Sequence, residues 1–199
     1  MRKFHLVLLV AACFICLSAV TASANLVLNG SFELPVLTQN TQINAVPDSW
    51  NTTGPASWIF SYPGLAQSGT QYYDLGNSSA YNLSQSIMVT TAGTYTLGWF
   101  SKQISSTTAP FTVSFEGDSV NASQTFTPIN SWRADSLGDL SLVAGTYTLT
   151  FTSGYAGGYD TVFIDNVTLT STSPVPIPAA VWLLGSGLLG LIGARRFRK

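Results

Sequence analysis

Beyond its first 24 residues this chain contains neither cysteine nor histidine; Cys13, Cys16 and His5 are the only ones in 199 residues. The body of the protein therefore has no Ser-His-Asp triad, no cysteine nucleophile and no histidine-bound zinc or iron. No G-x-S-x-G elbow occurs, and no glycine-rich phosphate loop followed by lysine. Lysine is nearly absent as well. Lys102 is the only one between residues 25 and 173, so a Ser-Lys pair would have to use it. Basic charge is confined to the ends: Arg2, Lys3, Arg195, Arg196, Arg198 and Lys199 leave Lys102 and Arg133 as the only bases of the middle, against nine acids, a net charge of −7. Nucleic-acid binding rests on neutralising phosphates with Lys and Arg, so this charge argues against polyanion binding, and no nucleic acid is expected as a partner. The chemistry left open is a carboxylate pair of glycosidase type, drawn from Glu33, Glu116 and seven aspartates. All of these acids sit in strand or turn contexts, where solvation or capping accounts for them. A non-enzymatic protein is expected, with a glycan-processing enzyme as the lesser alternative.

The two ends are apolar. Arg2-Lys3, the run Leu6 to Val20 and the small residues Ala22-Ser23-Ala24 have the order of a secretory signal peptide over residues 1–24, cleaved between Ala24 and Asn25. Within that run the Cys13-x-x-Cys16 spacing is incidental. After a polar linker, 171–174, comes Val175-Pro176-Ile177-Pro178-Ala179-Ala180, then an apolar span to Ala194, then Arg195-Arg196-Phe197-Arg198-Lys199. Ala179 to Ala194 as a helix would be about 24 Å long, short of a ~30 Å hydrocarbon core, so a transmembrane helix must extend back through the prolines, over about 176–194. The terminal bases place the C-terminus in the cytoplasm and the domain outside. Three readings stay open: a plain anchor, a helix that packs through the small-residue stripe Ser186, Gly190 and Ala194, or a glycine-rich span that a membrane protease unwinds.

Residues 25–170 make one domain, long enough to bury a core. No helical periodicity appears there. In 93–100 Tyr95, Leu97 and Trp99 fall on one face and Thr94 and Thr96 on the other. In 145–151 Tyr147, Leu149 and Phe151 alternate with Thr146, Thr148 and Thr150; in 111–116 Phe111, Val113 and Phe115 alternate with Thr112, Ser114 and Glu116. A period of two with hydroxyls on the wet side specifies half-buried antiparallel strands. Further strands are expected over 25–33, 56–62, 70–75, 81–89, 123–129 and 160–170, with a hairpin turn at Glu116-Gly117-Asp118. The fold class is thus all-β, an antiparallel sandwich followed by one C-terminal transmembrane helix. Ala-Gly-Thr-Tyr-Thr-Leu occurs at 92–97 and again at 144–149, which reads as one way of starting a strand used twice.

Trp50, Trp58, Tyr62, Tyr72, Tyr73, Trp132, Tyr155 and Tyr159 lie in or beside predicted loops, with Asn51, Gln71 and Asp74 nearby. Sugar sites stack pyranose faces on aromatic rings and bond hydroxyls to amides and carboxylates. Trp58, Tyr62, Tyr72, Trp132, Tyr155 and Tyr159 are the candidate ligand-binding residues on this ground, although aromatics also fill sandwich cores. Six Asn-x-Ser/Thr sequons, at Asn29, Asn51, Asn77, Asn82, Asn121 and Asn166, carry little weight in so polar a chain.

Two resemblances add to this. Asn29-Gly30-Ser31-Phe32-Glu33 near the start of the domain and Val162-Phe163-Ile164-Asp165-Asn166-Val167 near its end look like the first and last strands of galactose-binding-like jelly rolls, a group rich in carbohydrate-binding modules. The resemblance implies a sandwich of that topology, carbohydrate as ligand, and a structural Ca²⁺ held by Glu33 and Asp165; oxygen-only ligation suits a chain without Cys or His. Those two residues also fit a bland role, capping strand ends or accepting backbone hydrogen bonds. The C-terminal 25 residues resemble the VPLPA variety of the PEP-CTERM sorting signals of Gram-negative bacteria, matched at Val175, Pro176, Pro178, Ala179, Ala180, Arg195 and Arg196, with Ile177 in place of the commoner Leu. This implies an exosortase-type membrane enzyme as a partner and a protein exported across the inner membrane, transiently anchored, and finally at the cell surface or in an exopolysaccharide matrix. A structural or adhesive matrix protein without a defined ligand is the alternative to a carbohydrate binder.

Overall fold

Alternation of apolar residues with Ser and Thr produces eleven strands and, among the described residues, no helix. A computed structural model describes residues 24–54, 57–76, 81–104, 110–154 and 161–172; these lie in one compact unit, Ala24–Ser173. The strands are β1 (Thr41–Asn44), β2 (Asn51–Thr53), β3 (Trp58–Ser61), β4 (Gln71–Asp74), β5 (Asn82–Val89), β6 (Gly93–Gln103), β7 (Phe111–Gly117), β8 (Val120–Phe126), β9 (Arg133–Leu142), β10 (Gly145–Ser153) and β11 (Val162–Ser171). They form a six-stranded sheet in the order β1-β3-β4-β11-β6-β9 and a five-stranded sheet in the order β2-β5-β10-β7-β8. Every pairing is antiparallel.

The core lies between the sheets. Trp99 from β6 meets Phe126 and Phe151 edge-on, with centroids 4.8 and 5.6 Å apart. Phe151 continues to Trp50, Trp50 to Phe32 and Phe32 to Tyr73. Large rings dominate because each buries ~150–250 Å² and edge-on contacts add to the area gain. The twice-used Ala-Gly-Thr-Tyr-Thr-Leu segment opens β6 in one sheet and β10 in the other. In both copies the tyrosine hydroxyl donates to the carbonyl four residues upstream, Tyr95 to Thr91 at 2.7 Å and Tyr147 to Val143 at 3.0 Å. The tyrosine thereby satisfies its own buried hydroxyl while its ring packs inward.

The expected strand at 25–33 is corrected. Asn29 and Phe32 have positive φ, and Phe32 N–H donates to Asn29 O across a turn. Two backbone bonds join the segment to β11, from Leu26 N–H to Leu169 O and from Val167 N–H to Gly30 O, and the Asn25 side chain adds two more: its Oδ1 accepts from Leu169 N–H and its Nδ2 donates to Val167 O. Gly30 then touches the β11 backbone so closely that a Cβ there would strike Val167 O. The segment docks on β11 as a turn. The strand placed at 123–129 begins earlier, at Val120, because the hairpin turn after Gly117 is tight, with Gly117 opposite Val120. Strands β1, β2 and β9 were not expected. β9 carries Arg133, Asp135 and Asp139 and is kinked opposite Leu97 and Gly98, where Gly138 has positive φ, so its sequence lacks clean alternation.

Candidate functional site

The outer face of the six-stranded sheet breaks the polar-out rule. Ile59, Tyr73 and Ile164 point into the core, so their strand neighbours Trp58, Phe60, Tyr72 and Phe163 point outward. Register sets Phe60 opposite Tyr72, and their rings stack at 5.4 Å with an interplanar angle of 8°. Phe163 closes against both, at 4.8 Å from Tyr72 and 5.4 Å from Phe60. Tyr62 lies 6.1 Å from Phe60, and Trp132, from the segment before β9, meets Tyr72 edge-on at 6.0 Å. Phe60, Tyr62, Tyr72 and Phe163, with Gln42, Leu65, Lys102 and Ile104, line a cleft of about 300 Å³, and Trp132 packs beside it on Tyr72. Burial first, then the neighbouring Tyr62 and Asp74, push the Tyr72 phenol up to about 12, so it stays a neutral donor.

One wall of the cleft is the loop 62–70, which crosses this face between β3 and β4. Two carboxylates hold it down. Asp165 Oδ2 accepts from Gln67 and Ser68 N–H at 2.8 and 2.9 Å, and Oδ1 accepts from Asn166 N–H. Glu33 Oε1 accepts from Thr70 and Gln71 N–H at 2.7 and 2.8 Å, and Oε2 accepts from the Thr70 hydroxyl. Gly69, at φ +63°, lies so near the Glu33 carboxylate that a Cβ would strike it. The far end of the loop is tied by Trp132 Nε1–H donating to Leu65 O at 2.8 Å. The carboxylates thus fix the wall, and the wall fixes a ring of the cleft.

Asp165 is fully buried, and burial outweighs its three N–H donors, raising its carboxyl to about 7; the Glu33 charge adds a little. Each carboxylate offers about four acceptor positions and uses three, so one remains on each. Gln67 has in addition a buried Oε1 without a hydrogen-bond partner among the described residues. Carboxylate and amide oxygens are the donor type that a hard divalent cation takes. Among the described residues no group of three or more His, Cys, Asp or Glu gathers.

The sequence-derived candidates divide. Tyr62 and Tyr72 come together in the cleft, and Trp132 packs edge-on against Tyr72 outside its lining. Trp58 is on the same face, 39% exposed, two residues along β3 from Phe60, but outside the cleft lining. Tyr155 and Tyr159 lie outside the described residues, as do Val175, Pro176, Pro178, Ala179, Ala180, Arg195, Arg196 and the expected transmembrane helix. Trp50 and Tyr73 are core residues. Gln71 is buried, bonding Phe32 O, Pro35 O and Leu37 N–H, and Asn51 is on the other sheet. Phe60, Phe163, Gln42 and Lys102 were not foreseen. Asp74, next to Tyr72 on the same face, is raised by burial and bonded by the Thr161 hydroxyl and Gly76 N–H. The cleft lining itself includes no carboxylate among the described residues.

No protein-family model and no curated protein sequence matches the chain. Solved structures do. TmCBM61, determined in complex with β-1,4-galactotriose, matches with a TM-score of 0.58 at 19% identity, covering 75% of this chain and 99% of that one. The CBM22-1 xylan-binding domain of Paenibacillus barcinonensis Xyn10C matches with a TM-score of 0.50 at 15% identity, covering 79% and 100%. At such identities the likeness shows the fold: an antiparallel β-sandwich of the carbohydrate-binding-module kind.

The raised Asp165 sets a pH dependence with a definite sign. Below pH ~4 folded and unfolded chains both hold the proton. Between about 4 and 7 the unfolded chain releases it first, so the residue costs stability as pH rises, by at most about 4 kcal/mol, complete above 7. In EDTA, the stability advantage of wild type over Asp165→Asn should shrink from pH 4 to pH 7 in urea unfolding; a constant difference would show that the carboxyl ionises normally.

Proposed function

We propose that this domain is a non-catalytic carbohydrate-binding module and that the aromatic cleft on its six-stranded sheet holds the sugar. The observation that carries this is the cluster of Phe60, Tyr62 and Tyr72 that lines the cleft with Gln42 and Lys102, with Trp132 packed on Tyr72. Phe60, Tyr62 and Trp132 are half-buried and Tyr72 is 5% exposed, so the cleft offers part of each ring rather than an open patch, and rings flanked by amide and ammonium donors match the apolar faces and hydroxyls of a pyranose. A glycosidase needs two carboxyl groups flanking the scissile bond; the described lining instead offers rings and donors, which favours binding. The fold shared with TmCBM61 and the CBM22-1 domain is consistent with it.

Glu33 and Asp165, with Gln67 nearby, are the residues that would hold a structural Ca²⁺. When bound, such an ion supplies charge compensation for two close carboxylates, and the chain's own contribution is to hold the loop 62–70 as the wall of the cleft. Export and delivery form the second part of the proposal. Residues 1–24 act as a signal peptide, and 175–199 as a sorting signal read by an exosortase-type enzyme, which carries the module to the surface or polysaccharide matrix of a Gram-negative cell. The support here is the tripartite tail and its resemblance to PEP-CTERM signals.

Purified in a polyoxyethylene detergent, which presents no sugar, the full-length chain should be retained on a polysaccharide panel. Tyr72→Ala and Trp132→Ala should each weaken retention at least about ten-fold; no retention of folded protein on any glycan would leave the purely structural or adhesive reading. Calcium at pH 7.5 should raise the melting temperature and EDTA lower it, and a melting temperature indifferent to both would remove the ion. In a host with an exosortase, Pro176→Ala with Pro178→Ala should trap the chain in the inner membrane by cell fractionation. Unchanged surface delivery would dismiss the sorting role.

A further inference from the structure

Between residues 25 and 173 the chain has nine acids and two bases. The two bases have opposite fates. Arg133 is consumed by Asp135, with Nη2 and Nε both 2.8 Å from Oδ1. Lys102 has no carboxylate partner among the described residues. It does not extend into open solvent either: it is half-buried, lines the cleft, and holds its ammonium 6.0 Å from the centroid of the Trp132 ring. Restricting a lysine in this way costs side-chain entropy and some hydration, while solvated surface offers it an easier place. Register explains how it gets there. Phe163 on β11 pairs with Asp74 on one side and with Lys102 on the other. One face thus presents an acid and a base flanking an aromatic floor. The acid is occupied by Thr161 and Gly76; the base has no carboxylate partner among the described residues.

We infer that the cleft takes an acidic glycan, a chain of sugars bearing carboxylates, and that Lys102 is the specificity-determining residue that pairs with a uronate carboxylate while the neighbouring rings stack its pyranose. This rests on the glycan-binding reading and narrows it to one substrate class. The net charge of −7 does not forbid it. Exposed charges farther away than about 10 Å are largely screened at 0.1 M salt. Of the acids, Glu33 and Asp165 are covered by loop amides, and Glu116 and Asp118 belong to the end of β7 and its turn, on the other sheet. Contact-range pairing at Lys102 decides, because a hydrogen bond to a charged partner in a half-buried setting is stronger than one to a neutral hydroxyl.

The test compares each acidic polymer with its own neutral twin. Polygalacturonate and alginate oligosaccharides are titrated into the full-length chain in polyoxyethylene detergent, beside the same oligosaccharides with carboxylates reduced to alcohols. For at least one pair the acidic form should bind about ten-fold tighter, and rising NaCl should erode that preference. Lys102→Met should abolish the preference, so that the acidic form and its reduced twin bind that variant alike. Lys102→Arg should retain the preference. Equal affinity for both members of every pair, or an equal loss for both in Lys102→Met, would overturn the inference while leaving sugar binding intact. If neutral glycans alone are retained, the inference also fails. If folded protein binds no glycan at all, the glycan-binding reading itself falls.

Discussion

Two carboxylates hold a loop down on a sheet, and the aromatic cleft depends on that. Glu33 arrives on the turn that docks against β11, and Asp165 sits where β11 begins to bulge. Between them they accept four main-chain N–H bonds from residues 67–71. Hydrogen bonds to charged groups contribute ~1.5–3 kcal/mol each, whereas burying an ionised carboxylate costs several. At Asp165 the cost of burial wins, as its raised carboxyl records. What the arrangement secures is position. Loop 62–70 lies across an otherwise open sheet, Leu65 accepts from the indole of Trp132, and the cleft acquires a wall.

The rest of the cleft follows from register. A strand exposes alternate residues, so four strands of one sheet must each place an apolar or long side chain at nearby heights for a patch to form. β3 and β4 do so with Phe60 and Tyr72, and β11 and β6 with Phe163 and Lys102, the second pair offset by two residues because Phe163 is opposite Asp74. The same strands send Ile59, Tyr73, Ile164 and Ser101 inward. This sheet is covered on both sides, by the core and by the loop with its aromatic partners. The five-stranded sheet is not. Its outer residues, such as Ser86, Thr146, Thr148 and Glu116, are exposed and polar.

This difference governs how much could be read from the chain. Strands of the five-stranded sheet announce themselves: Tyr147, Leu149 and Phe151 against Thr146, Thr148 and Thr150 allow only one side to be inner. Strands β4 and β11, apolar on both sides, do not say which ring is core, so Phe60 and Phe163 carried no signal of an outward role, while Tyr73 looked as available as Tyr72. Loop position singled out Tyr62 and Trp132, seventy positions apart, but their convergence needs the pairing of β9 with β6. β9 itself was hidden because Asp135, Gly138 and Asp139 interrupt its pattern. The turn at 25–33 was missed because Asn25 makes its bonds through a side chain, which no periodicity reveals. Lys102, by contrast, was legible as the lone lysine of the domain; its place in the cleft was not.

The same irregularity in β9 has a consequence for crowding. β9 is an open flank of the six-stranded sheet, kinked by Gly138 and studded with Arg133, Asp135 and Asp139. The other flanks are β1 and β2, only four and three residues long, and β8, whose outward Asn121, Ser123 and Thr125 are well hydrated. A strand edge invites a neighbour's strand when it is long, straight and apolar. None of these is all three. Copies of the domain gathered along one polymer strand, at local concentrations far above those of dilute solution, would meet flank to flank without extending one another's sheets. They would remain separate beads, joined by what they hold in common.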